Sequence, residues 1–463
     1  MKNLVFKFIL LISIVTFLGF GSRAIGLNAH QALSIAIFFA SILGTLFFWD
    51  FRLSFAFLGA AVLLATHTID IDNLVKFSSL EIILFLVGMM VIIGLLKDAG
   101  FFAWIISLIL RIRNLTAKKF VFSVAVISAL LSCAVDEVTS IIFMVAAVLE
   151  ICDYFEVDPV PYVIISVLAT NIGSAGTVLG NPIGILIATK SGLTFEDFIL
   201  KAFPLVMFCL AATILLIMVW YRHAIRKLDQ KIKESGSNEM LVRLISVPPD
   251  RQTKTALSIF AVTLLAIAFS HRLDILWGLE TNTILLIIPL VTAAIIMIWK
   301  HQKAREFIEK DVEWWTLLFF LLLFAQAGTL KYTGATEVIA HKIVSITKNN
   351  PALLTTVILW LSSIGSSILD NVVLVAAFIP IIQGFQGLSV NLQPLWWALL
   401  FGGCFGGNIT LVGSTANIVA LGILEKDRNI KITFFRWFWV GLTVGVVTTG
   451  IVWLALLFLP IYR

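Results

Sequence analysis

Apolar stretches at 31–49, 78–96, 118–133, 203–221, 255–270, 281–299, 314–330, 352–369 and 437–459 run almost without charge, each near the roughly 20 residues that span a bilayer as a helix. A chain that is 60% hydrophobic and 13% charged, against about 45–50% apolar and about 25% charged in soluble domains, has the lipid bilayer as its first partner. The sequence predicts an all-α polytopic membrane protein with about ten to twelve crossings or re-entrant pieces. The opening "MKNLVFKFILLISIVTFLGFGSRA" reads as a first transmembrane helix in preference to a signal peptide.

The formal charge of +6 points to topology, not to nucleic acid. Basic residues collect in connectors, above all between Tyr221 and Lys254 and in "RIRNLTAKK" (111–119), and the positive-inside rule places both in the cytoplasm. Cys133, Cys152, Cys209 and Cys404 have no metal or disulfide spacing and read as small hydrophobes. His67, Asp70 and Asp72 read as solvated connector residues, and Glu81 and Glu313 as acids at the positive ends of helices. Six tryptophans, Trp314, Trp315, Trp396, Trp397, Trp437 and Trp439, read as interfacial anchors.

Two halves of the chain match. "LLKDAG" (95–100) aligns with "TLKYTG" (329–334) at a spacing of 331 − 97 = 234 residues, and the same spacing carries Asp136 onto Asp370. "TVLGNPIG" (177–184) aligns with "TLVGSTAN" (410–417) at 410 − 177 = 233. Paired halves with interrupted apolar segments are the mark of a secondary transporter whose site lies at the repeat interface near the midplane. The boundaries read from this are N-terminal helices at 1–50, a first repeat at 51–221, a basic linker at 222–254 and a second repeat at 255–463.

Asp136 and Glu137 interrupt "SCAVDEVTSIIFM" (132–144), where each acid costs about 2.5–3.5 kcal/mol at the centre of a membrane helix. Ser132, Asp136, Thr139 and Ser140 fall at helical spacing on one predicted face, and Ser363, Ser366, Ser367 and Asp370 repeat it, with Asn371 following. A carboxylate among hydroxyls suits a hard cation such as Na+, so Asp136 and Asp370 are the candidate metal ligands. A second series, "ATNIGSAGTVLGNPIGILIA" (169–188) and "FGGCFGGNITLVGSTANIVALGI" (401–423), is too rich in Gly and Asn for an unbroken helix. Breaks there would offer Asn171, Thr177, Asn181, Asn408, Thr410, Ser414 and Asn417 as ligands.

At "ALLSCAVDEVTSIIFM", "TNIGSAGTVLGNPIG", "EWWTLLFFLLLF", "SSILDNVVLVAAFIP" and "GGNITLVGSTANIV" the sequence resembles the ion transporter superfamily, in particular the branch holding ArsB arsenite permeases, NhaD-type Na+/H+ antiporters and the P protein. The resemblance covers roughly residues 30–460. It implies two inverted repeats, each with a scaffold part and a transport part carrying a re-entrant hairpin and a broken helix, an elevator motion, and a homodimer. It also places Asp136 and Asp370 in the hairpins. Two departures stand out: Glu137 replaces the Asn of the family's Asp-Asn pair, and "NPIG" replaces its Asp-Pro-Pro-Asn. Glu137 thereby becomes a candidate proton carrier that titrates with Asp136 as a unit.

The leading expectation is a Na+/H+ antiporter of a bacterial or archaeal inner membrane, with Na+ and/or H+ as coupling ions and no cofactor. A Na+- or H+-coupled carrier of a small anion such as a dicarboxylate, citrate, sulfate or arsenite-like solute is the alternative, disfavoured because no Arg or Lys stands within the motifs. A channel is the outside reading. No base accompanies the serines, so an enzyme is not expected.

Overall fold

In the computed structural model, residues 2–24, 26–110, 112, 115–234, 250–348, 350–386, 388 and 390–462 are described. Helices account for all their regular structure, with no strand among the described residues. Among the described residues eight helices are long and apolar enough to cross a membrane, or nine if Arg251–Ala268 and Ser270–Trp277, bent by 55°, form one span. Val160–Gly173, Thr283–Trp299 and Asn371–Gly384 are shorter apolar helices. Of the basic linker, Arg222–Glu234 is a helix that buries Ile225 and Leu228, while residues 235–249 lie outside the described residues, as do Arg111, Arg113 and Asn114.

The internal match reappears in the helix boundaries. Leu80–Asp98 and Trp314–Tyr332 each have 19 residues, Ala117–Ala134 and Pro351–Ile368 each have 18, and Val160–Gly173 and Gln393–Gly406 each have 14. Start positions in these pairs differ by 234, 234 and 233 residues.

The capping chemistry explains where the chain breaks. Asp136 ends the apolar helix Ala117–Ala134 and caps Glu137–Tyr154, accepting from the Thr139 amide at 2.7 Å; a short acceptor at this position satisfies amides that a helix start leaves free. Asp370 does the same between Pro351–Ile368 and Asn371–Gly384, accepting from Val372 N at 3.1 Å. A Cβ on Gly365 would lie 2.6 Å from Leu374 Cδ1. Residues that far apart in one straight helix would be about 13 Å apart along its axis, so the chain reverses at Leu369–Asp370. These turns correct one expectation: Ser132 and Thr139 stand on different helices, on either side of Val135–Asp136, so no continuous helical face carries them.

The second break in each half falls at 174–181 and 407–414. Asn181 and Ser414 cap the resuming helices, Pro182–Ser191 and Thr415–Arg428. Thr177 donates to the Cys133 carbonyl and accepts from Leu179 N, and Thr410 donates to the Ser367 carbonyl and accepts from Val412 N. Matching hydroxyls thus tie each break to the matching hairpin tip. The tryptophans divide: Trp314, Trp315 and Trp439 are exposed as anchors would be, but Trp396, Trp397 and Trp437 are buried. Trp437 Nε1 donates to the Asn408 carbonyl at 3.0 Å, a use of the indole inside the protein that composition does not distinguish from anchoring.

Two helix pairs approach closely at glycines. A Cβ at Gly173 would collide with the Ala129 carbonyl, and one at Gly406 with that of Ser363. Gly173→Val and Gly406→Val are each expected to destabilise the protein by about 1–3 kcal/mol or more. Gly422 lies in a helix with nothing within 4 Å of a Cβ, so Gly422→Ala is expected to stabilise by up to about 1 kcal/mol. Thermal unfolding of the three variants in detergent checks both signs.

Candidate functional site

Four helix starts, capped by Asp136, Asp370, Asn181 and Ser414, belong to the two matched halves, and side chains from one half bond those of the other. Asn371 Nδ2 donates to Glu137 Oε1 at 3.1 Å, across the repeat spacing of 234 residues. Ser414 Oγ donates to Asn171 Oδ1 at 3.0 Å and lies 3.5 Å from Glu137 Oε1. In the matching contact, Asn181 Nδ2 donates to Cys404 Sγ at 3.2 Å. Each resuming helix is therefore capped by a residue that also grips the opposite half.

Asparagines hold the centre. Asn171 Nδ2 donates to Asn408 Oδ1 at 2.9 Å and Asn417 Oδ1 at 2.8 Å, and Asn417 Nδ2 donates to the carbonyls of Gly407 and Thr410, both at 2.8 Å. All three are fully buried. Backbone freed by a break must be satisfied inside the protein at membrane depth, and the Asn417 amide does that for the break at 407–414. Thr177, Thr410, Asn171, Asn408 and Asn417, predicted as ligands, are thus engaged in bracing the breaks. Ser366 is similarly used, donating to the Gly403 carbonyl at 2.5 Å. Ser132 is buried with no partner and lies in neither cavity wall.

Two cavities reach the acids. One, of about 220 Å³, is lined by Asp136, Glu137, Thr139, Asn181, Glu313 and Thr415 among others. Its wall also carries Lys97, Lys310 and Asp311, with Lys97 Nζ 3.1 Å from Asp311 Oδ1. The other, of about 240 Å³, is mostly apolar and includes Asp370, Thr45 and Trp49 in its wall. Thr415, in the wall of the first cavity, donates to Asp370 Oδ2 at 2.6 Å, so the acid lining the second is one hydrogen bond from the first.

The structure brings in two residues that sequence reasoning passed over. Glu313, read as a helix-opening acid, makes no capping hydrogen bond and lines the cavity of Asp136 and Glu137. Arg52 lies far from every motif. Only 6% exposed, its guanidinium stacks 3.9 Å from the centre of the Trp49 ring and donates to Thr316 Oγ1 at 3.3 Å. Nothing in the sequence separates it from a connector cation. Among the described residues no group of three or more His, Cys, Asp or Glu could hold a metal ion. A cation here would need carboxylates supplemented by neutral oxygens, as a singly charged hard ion tolerates.

A transporter of Mycobacterium tuberculosis described as uncharacterised is 29% identical over 372 residues, 80% of this chain and 83% of its own. The human P protein is 26% identical over 470 residues, 85% of this chain, which spans 56% of that longer protein. The crystal structure of the Alcanivorax borkumensis YdaH transporter shares the fold, with a TM-score of 0.54 at 15% identity over 88% of this chain and 90% of that one. The sequence profile of the family described as citrate transporter, CitMHS, matches residues 46–402. A match over that much of the length, joined to a transporter fold and transporter relatives, establishes that the chain belongs to the CitMHS family of membrane transporters.

Proposed function

We propose that this secondary transporter exchanges Na+ for H+, with the two ions competing for carboxylates at Asp136, Glu137 and Asp370. The observation that carries the reading is the bond between Glu137 and Asn371, which joins the two acid-bearing hairpin tips so that charge on one is felt at the other. Thr139, Asn181 and Thr415 line the same cavity as neutral oxygen or amide groups. A Na+ with several such oxygens can replace water, and a proton on Glu137 offsets the same charge. The reading includes two inverted repeats, an elevator motion of hairpins and broken helices against the remaining helices, an inner-membrane location with the 222–254 linker in the cytoplasm, and a homodimer.

The name of the family raises a carboxylate substrate. Such an anion would meet the neutral caps Asn181 and Ser414, at the starts of Pro182–Ser191 and Thr415–Arg428, where helix ends favour negative charge. The aspartates would then hold its coupling ion.

Protein in liposomes with a preset pH gradient and an internal pH dye separates the two. Added Na+ or Li+ is expected to collapse the gradient, and Asp136→Asn or Asp370→Asn to slow that collapse by about 10–100-fold, the loss of one hydrogen-bonded charge worth about 1.5–3 kcal/mol. A response to citrate or succinate with none to Na+ or Li+ would replace exchange by anion transport. Glu137→Gln, which removes the proton carrier, is expected to slow the Na+-driven collapse and to flatten its dependence on pH. Unchanged rate and unchanged pH dependence in that variant would remove Glu137 as the proton carrier.

A further inference from the structure

Arg52 is a buried cation without a salt bridge: among the described residues, no carboxylate oxygen lies within 4.0 Å of its guanidinium. It opens the helix Arg52–Ala65, so it also sits at the positive end of a helix dipole, where a cation is disfavoured. Its contacts are the faces of Trp49 at 3.9 Å and Phe319 at 5.4 Å and the Thr316 hydroxyl at 3.3 Å. Aromatic faces and one hydroxyl offset only part of what a buried guanidinium loses on leaving water. Opposite charge must supply the rest.

The holding groups say where that charge is. Trp49 lines the cavity of Asp370, and Thr316 lines the cavity of Asp136, Glu137 and Glu313. Arg52 therefore stands between the two cavities. The acids that share these walls are Asp370, in the cavity that Trp49 lines, and Asp136, Glu137 and Glu313, in the cavity that Thr316 lines. Asp370 already accepts from Thr415 and from the amides of Val372 and Val373, bonds that leave its negative charge in place.

We propose that Arg52 is a tethered substitute for the transported cation, balancing the Asp370 carboxylate when no ion is bound there and losing that attraction when an ion binds. The proposal rests on the cation reading above and deepens it. An empty acid buried in a membrane protein is costly, and a fixed countercharge lowers that cost without occupying the ligand position. The same countercharge repels an entering cation, so Arg52 sets affinity low enough for release.

The measurement is Na+-dependent thermal stabilisation of the purified full chain in detergent, read as the Na+ concentration giving half the maximal shift. Arg52→Gln is expected to lower that concentration at least tenfold, equivalent to about 1.4 kcal/mol, while Arg52→Lys, which keeps the charge, stays within threefold of wild type. In an Asp370→Asn background, Arg52→Gln is expected to change it less than threefold. A residue that merely supports the fold would lower the melting temperature without tightening Na+. Arg52→Met, which keeps the stem and its packing on Trp49, supplies the same comparison should the glutamine variant not fold. Unchanged or weaker Na+ affinity in a folded neutral variant, with wild type responding to Na+, would overturn the role of Arg52 alone. Absence of any Na+ or Li+ stabilisation in wild type would overturn the cation reading and this role with it.

Discussion

A backbone broken inside an apolar slab must find partners for the amides and carbonyls it releases, and everything at the centre of this protein answers that demand. Asp136, Asp370, Asn181 and Ser414 cap the helices that restart. Thr177 and Thr410 tether each break to a hairpin tip, and the Asn171, Asn408 and Asn417 cluster locks the halves together. The aspartates are thus placed by backbone chemistry. Their position at helix starts supplies local hydrogen bonds that partly compensate a carboxylate for lost water.

That division of labour separates bracing polar groups from available ones. Asn171, Asn417 and Ser366 spend their donors on the protein itself. Asp136, Glu137 and Thr139 face a cavity, with Glu313 opposite them from outside the hairpins. The proposed exchange uses both kinds: rigid packing to keep the breaks from unravelling, and carboxylates whose charge can be met by one ion or another. Arg52, held between cavities by Trp49 and Thr316, adds a charge that belongs to neither hairpin.

Much of this was legible in the sequence, for identifiable reasons. Apolar length anticipated most of the spans, though 281–299 became a shorter helix and 255–270 part of a bent pair, and the spacing from Asp136 to Asp370 anticipated helix boundaries that recur almost residue for residue. Glycine and asparagine density marked the second breaks because those residues weaken helices whatever their surroundings. The hairpin turn at Val135–Asp136 was harder to see, since "SCAVDEV" contains no Gly or Pro and its aspartate could sit in a helix or cap one. Side-chain purpose was hidden for the same kind of reason: Trp437 as an anchor and Trp437 as a buried donor look identical in one dimension. Glu313 and Arg52 escaped because the cavity that defines the one and the Thr316 contact that defines the other join segments more than two hundred residues apart.

Calorimetric titration of the purified protein with Na+, in two buffers of different ionisation enthalpy, tests most directly whether cation and proton contend for the same carboxylates. The account predicts saturable binding whose heat differs between the buffers, because protons leave as Na+ enters. Saturable binding with the same heat in both buffers, or no binding at all, would contradict it.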